Sequence, residues 1–225
     1  MTRHETGGRS LLSIELITTQ GFFELDGGKW EVTNNIWLVG NESDLVVIDA
    51  AHDHSKIVEA LHGRKLRAIL LTHGHNDHIN VAIPLRDETD APIYLHPNDT
   101  MLWNAVWPSD KPDLYALPND RIDVGGHRLH MIHTPGHSPG SCCFVESSSE
   151  VVFTGDTLFC GGPGATGRSY SDEATIIQSI FSQLLVLSDS TVVHTGHGNS
   201  TTIGQERELV LEKMREMQLN LPARH

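Results

Sequence analysis

The sequence predicts an α/β fold of four layers, two packed β-sheets with helices outside them (an αββα sandwich). Three observations predict it. Short β-branched apolar runs alternate with helical patterns in both halves of the 225-residue chain, the alternation that lays helices over sheets. The second half repeats the first in kind, though not in sequence. Histidines and aspartates recur directly behind the apolar runs, where strand-end loops on one sheet edge can gather them.

Taken in order, residues 11–18 and 31–39 (EVTNNIWLV) read as strands. Residues 44–50 (DLVVIDA) are continuous and β-branched, as expected of a strand buried on both faces. Residues 54–62 put Ile57, Val58 and Leu61 on one helical face. A strand at 67–71 (RAILL), a helix and a strand at 91–96 (APIYLH) follow. Trp103 and Trp107 lie four residues apart on a short helix, either as a lid over a site or as its packed face. Strands at 121–124, 127–133, 141–146 and 150–155, mostly antiparallel, carry Gly125-Gly126 as a turn. A helix over about 172–187 and a strand at 191–195 come next. An amphipathic helix over about 204–217, with Leu209, Val210 and Met214 on its stripe, closes the chain. One domain, 1–225, accommodates all of this, and periodicity leaves the strand order open.

The net charge is −13, from 16 Lys and Arg against 29 Asp and Glu. Binding nucleic acid by its phosphates needs a Lys/Arg-rich face, so no nucleic-acid partner is expected. The N-terminus, MTRHETGGRS, has no secretory apolar core behind it, and no run approaches a membrane span. Three cysteines, two of them adjacent (Cys142 and Cys143), cannot build a disulfide framework and fit a reducing cytosol. A cytoplasmic protein without membrane attachment is the expectation.

The chemistry is carried by side chains after strand ends. His73, His75, Asp77 and His78 follow RAILL, His137 follows HMIHTPG, Asp156 follows VVFTG, and His197 follows VVHTG. Each is flanked by Gly, Thr or Pro, the composition of tight loops. Converging on one point, they offer seven N/O ligands and no thiolate. That is too many for one tetrahedral Zn²⁺ and suits two divalent ions sharing a bridge. Imidazole with carboxylate fits Zn, ahead of Fe or Mn.

His73-Gly74-His75-Asn76-Asp77-His78, with TPGHSPGS (134–141), TGDTLF (154–159) and TGHGNSTTIG (195–204), resembles the metallo-β-lactamase superfamily. The resemblance covers about residues 30 to 204. It implies the αββα fold and a two-ion site: His73, His75 and His137 on one ion, Asp77, His78 and His197 on the other, Asp156 bridging. It also implies that Asp49 supports the site from behind; read from its residues alone, a carboxylate there is equally a helix cap. Two ions roughly 3.5–4 Å apart would hold a bridging water as hydroxide at neutral pH and polarise a carbonyl. Asp77 and Asp156 are thus the catalytic carboxylates, Asp77 also able to orient the hydroxide.

TGDTLF and GHGNSTTIGQER resemble the compact bacterial glyoxalase II-like hydrolases, which implies cleavage of a small-molecule thioester by a monomer or homodimer. About 28 residues follow His197, room for one helix instead of a separate substrate domain. The alternatives are a mononuclear iron persulfide dioxygenase and a β-lactamase-like hydrolase of another ester or amide. Residues 162–169 come within one residue of a phosphate-binding loop but carry Arg168 where Lys belongs, so they read as a Gly-rich substrate loop. Arg168 and Ser169 are the candidates for the anionic end of the substrate. Cys160 reads as a small wall residue, Cys142 and Cys143 as packing. His52, His54, His62, His96, His127, His130 and His133 match no ligand motif and read as surface or strand residues.

Overall fold

The computed structural model describes residues 11–218. Strands β1 (Ser13–Leu25), β2 (Gly28–Gly40), β3 (Asp44–Ile48), β4 (Lys65–Leu70), β5 (Ile93–Leu95) and β6 (Leu114–Tyr115) form one sheet in that order. Helices α1 (His54–Leu61), α2 (Asn76–Ile79), α3 (Ala82–Thr89) and α4 (Thr100–Val106) belong to this half. The second sheet combines β7 (Arg121–Val124), β8 (His127–His133), β9 (Cys142–Glu146), β10 (Val151–Gly155), β13 (Val192–Thr195) and β14 (Thr201–Thr202). Its order is β14-β13-β10-β9-β8-β7. A small ribbon of β11 (Leu158–Phe159) and β12 (Gly162–Pro163) leads to α5 (Glu173–Ser179), and α6 (Ile203–Glu216) ends the described chain. Among the described residues no helix is long and apolar enough to cross a membrane. The first ten residues, behind which no signal was read, lie outside the described residues.

Strand periodicity explains the layers. Along β2, Trp37 and Val39 face the second sheet while Ile36 and Leu38 face the helices. Val46 and Ile48 of β3 likewise point inward between the sheets, and Leu45 and Val47 point out. On the other sheet Cys142 and Phe144 fill the central layer, and Cys143 and Val145 pack under α5 and α6. Successive side chains take opposite faces, so a strand covered on both sides must be apolar throughout. The αββα sandwich is therefore the observed architecture, and Cys142 and Cys143 are packing residues.

The hairpin differs from expectation. β1 and β2 run on into a long hairpin, closed at Asp26-Gly27, both of positive φ as a tight two-residue turn requires. Its outer half (GFFELDGGKW) is mostly half-buried or exposed, so the apolar pattern of a core strand stops before the strand does. Trp103 is fully buried in the core outside the first sheet; its indole N–H donates to Asp110 O (2.9 Å), and Trp107's to Ile79 O (2.9 Å). The pair packs a helix face and forms no lid. His96 and His127, read as surface or strand residues, are buried: His96 stacks on His133 with centroids 4.1 Å apart, and His127 lies 3.6 Å from Glu146.

Candidate metal centre

The edge where β4, β8, β10 and β13 end carries the functional loops. β4 leads into residues 71–75 and α2, which supply His73, His75, Asp77 and His78. Asp156 follows β10 and His197 follows β13, neighbouring parallel strands, so the two loops emerge side by side. Gly196 N–H donates to Gly155 O (2.8 Å) and ties them together. Asn35 of β2 anchors the His197 loop, its side chain donating to Thr195 O (3.1 Å) and Gly198 O (2.8 Å).

All seven residues named from the sequence meet here. Ligand-type atoms of His73, His75 and His137 lie within 4.8 Å of one another, and so do those of Asp77, His78 and His197. A third such group, His73, His78 and Asp156, takes one histidine from each set. His75 Nδ1 is 3.0 Å from His137 Nε2, and His78 Nε2 is 3.3 Å from His197 Nε2. Asp156 sits between the sets, 3.4 Å from His78 Nε2, 3.5 Å from His137 Nε2 and 3.4 Å from His197 Nε2.

Outer partners fix which nitrogen faces inward. His137 Nδ1 donates to Ala165 O and His197 Nδ1 to Thr33 O, each at 2.8 Å. Carbonyls only accept, so Nε2 is the nitrogen turned to the cluster. His78 Nδ1 donates to Asp49 Oδ2 (2.8 Å). Thr72 Oγ1 donates to Asp49 and therefore accepts from His73 Nδ1 (3.1 Å). Asp49 thus steadies one histidine of each set, directly or through Thr72. It caps no helix; Asp53 caps α1.

The electrostatics are those of a cluster built for cations. Burial drives the His73 imidazole well below its usual range and holds His75 at about 3. Burial also opposes protonation of His197, yet the Asp156 and Asp77 carboxylates lift it to about 10. His78 behaves alike: burial lowers it, and Asp156, Asp77 and Asp49 raise it well above the ordinary value. The carboxylates thus draw positive charge into the cluster, a place that divalent metal would take. His73 Nε2, His75 Nε2, Asp77 Oδ1 and Asp156 Oδ1 are buried atoms without a hydrogen-bond partner. Leaving such groups unpaired costs free energy, and ion coordination would satisfy His73 Nε2 and the two carboxylate oxygens, whereas His75 faces the cluster through Nδ1. The donor set fits divalent metal.

The cluster opens into a cavity of about 560 Å³ whose remaining wall includes Phe23, Trp30, Val32, Phe159, Cys160 and Arg168. The Arg168 guanidinium lies 3.7 Å from the centroid of the Trp30 ring. Ser169 is not part of that wall; its amide donates to Asp26 Oδ2 (3.0 Å). Asn76, which the sequence left without a role, clamps the hairpin: it accepts from Glu24 N–H and donates to Phe22 O, both at 2.8 Å. Phe23 between them packs edge-on against His75, centroids 5.1 Å apart.

Sequence reasoning missed three supports. Asn34 donates to Asp77 O (2.8 Å) and Oδ2 (3.1 Å). Thr72 carries the Asp49–His73 link. Buried Asp99 accepts from Gly74 N–H (2.8 Å), Gly140 N–H (2.6 Å) and Ser138 Oγ (2.6 Å), joining the loops that carry His75 and His137. None is a ligand of the motifs read from the sequence, and only Asn34, inside the predicted strand 31–39, had a placed backbone.

Gly196 yields a first prediction. A Cβ there would overlap Asp156 Oδ1 and come within 2.9 Å of His78 Cε1. Gly196→Ala should therefore lower the metal content per purified chain while the protein still folds. Elemental analysis beside circular dichroism checks this; a folded variant with undiminished metal contradicts it.

The sequence profile of the metallo-β-lactamase superfamily matches residues 30–218. Hydroxyacylglutathione hydrolase GloC of Haemophilus influenzae is 30% identical over 213 residues, covering 87% of this chain and 95% of that protein. Among solved structures, the BLEG-1 B3 metallo-β-lactamase superposes with a TM-score of 0.68 at 31% identity, over 85% of this chain and 97% of its own. TTHA1623, in a di-iron-bound form, gives a TM-score of 0.68 at 33% identity, over 78% and 93%. Fold, motif order and profile agree: the chain belongs to the metallo-β-lactamase superfamily.

Proposed function

We propose that this protein is a two-metal hydrolase that cleaves a small acyl group from an anionic thiol, a glyoxalase II-like thioesterase. The observation that carries the reading is the pair of three-residue ligand sets flanking Asp156, opening into an aromatic-walled cavity with one cation, Arg168. His73, His75 and His137 would hold one ion, Asp77, His78 and His197 the other, with Asp156 between them. Divalent ions bound there would supply a nucleophile by lowering the pKa of water and would polarise the thioester carbonyl. Zinc is the first expectation from imidazole and carboxylate donors, with iron the rival that the di-iron relative suggests.

The chain's own groups do the rest. Asp77, kept ionised at about 2 by His78 and His197 against the effect of burial, can orient the attacking oxygen. Phe23, Trp30 and Phe159 offer apolar contact for the acyl and thiol carbon chains and thin the water around the reacting carbon. A thiolate is a good leaving group, so no strong general acid is needed opposite the nucleophile. Arg168, resting on Trp30, is placed to bind a carboxylate of the thiol carrier.

The test is metal analysis joined to a panel of S-lactoyl and S-formyl conjugates of several cellular thiols, with a β-lactam and a thiol persulfide as rival arms. Thioester turnover with two ions per chain supports the reading. Turnover confined to the β-lactam, the activity named for the BLEG-1 relative, or oxygen consumption with persulfide and one iron per chain overturns it. Arg168→Ala should raise KM for an anionic thioester about tenfold and leave kcat nearly unchanged, the low end for a hydrogen bond to a charged group because the side chain is exposed. An equal KM for the variant places the anionic end elsewhere.

A further inference from the structure

A run of hydrogen bonds leads from outside the metal cluster to Asp77, and both its ends have fixed polarity. It starts at the backbone of His52, whose N–H donates to Asn80 Oδ1 (2.7 Å). With that oxygen accepting, the other half of the amide, Nδ2, faces His52 Nδ1 at 2.9 Å. An amide NH₂ only donates, so Nδ1 accepts and the ring proton lies on Nε2. Nε2–H then donates to Asn34 Oδ1 (2.9 Å). Asn34 accordingly turns Nδ2 onto Asp77, donating to the backbone O (2.8 Å) and to carboxylate Oδ2 (3.1 Å). A backbone N–H can only donate and a backbone carbonyl only accept. One polarity alone satisfies every member between them.

We propose that His52, held by Asn80, is a positioning residue that sets the amide orientation of Asn34 and through it the carboxylate of Asp77. Asn34 is fully buried, so no solvent relieves a wrong orientation. A flipped amide would press Oδ1 against the carbonyl and carboxylate of Asp77, acceptor against acceptor. Burial lowers the pKa of the His52 ring, so the neutral tautomer on which the run depends is the prevailing form. His52 also holds a left-handed backbone (φ 64), and its ring occupies the space that a side chain at position 21 would need; that residue is glycine. The consequence for metal rests on the two-ion reading above: Asp77 belongs to the set of the second ion, so disturbing the run should weaken that ion selectively.

Two measurements on the full chain test this. ¹⁵N NMR of the histidine rings in metal-free protein should show His52 protonated on Nε2; protonation on Nδ1 overturns the proposal whatever the metal content. His52→Gly removes the ring at a left-handed position that glycine adopts freely, so the backbone itself favours folding of the variant. Stepwise competition of Zn²⁺ with a chromophoric chelator should then show the second ion about 10- to 100-fold weaker and the first within about threefold of wild type. Asn80→Ala, which keeps His52 and removes only its fixing partner, should show the same selective loss in smaller degree. Wild-type affinity for both ions in folded variants, or equal loss of both, overturns the proposal. A wild type that takes a single zinc sinks the two-ion reading instead, and the tautomer measurement then decides the relay.

Discussion

Asp156→Ala is expected to leave a folded chain that retains neither ion well and loses at least about 10³-fold in kcat/KM, roughly 4 kcal/mol at 1.36 kcal/mol per tenfold. The carboxylate stands between the two ligand sets, 3.4 to 3.5 Å from nitrogens of His78, His137 and His197. Removing it leaves five imidazoles with Asp77 as the one carboxylate of the set. Cations brought together there would repel each other with less negative charge between them. Burial intensifies the effect, because the surrounding low dielectric screens little. Elemental analysis and steady-state rates on the same preparation check both halves. Full metal content with full hydrolysis would mean that the carboxylate bridges nothing.

Asp49→Asn should weaken metal binding about 10- to 100-fold without unfolding the chain, the usual loss when a ligand's outer partner is changed. Asp49 accepts from Thr72 N–H (2.8 Å), Thr72 Oγ1 (2.9 Å) and His78 Nδ1 (2.8 Å). An amide of the same shape must point its NH₂ at one of these donors. The backbone tolerates the change: Asp49 has φ 60, and asparagine accepts the left-handed region as readily as aspartate. Because Asp49 reaches His78 directly and His73 through Thr72, both ions should weaken. That separates this variant from His52→Gly, where one ion is affected. Chelator competition reads the difference.

Much of the fold was legible because its strands are covered on both faces. The LVVI of DLVVIDA and the VVF of EVVFTG are continuous apolar stretches, as burial on two sides requires. The ligand residues were legible for a related reason: imidazoles and carboxylates behind such runs have no ordinary core role. The outer hairpin was not legible, since its half-exposed strands lack a buried face to impose a period. His127 lies in its predicted strand, but its burial and that of His96 were not legible, because a buried histidine in a strand or turn has the same sequence appearance as an exposed one. Trp103 and Trp107 could not be placed either; their spacing fixes a helix face, and only packing shows what that face meets.

The sequence by itself picked out the imidazoles and carboxylates that the structure gathers into one cluster, and the α/β character of the fold. Those follow from residue chemistry and from the two-residue repeat of a strand, both local properties. Tertiary structure alone decided which outer partners hold the histidines, which ring nitrogens those partners turn inward, and that Asn34, Thr72 and Asp99 support the cluster. Those depend on hydrogen-bond partners up to 164 positions apart along the chain, as His197 and Thr33 are, and no local periodicity encodes such separations.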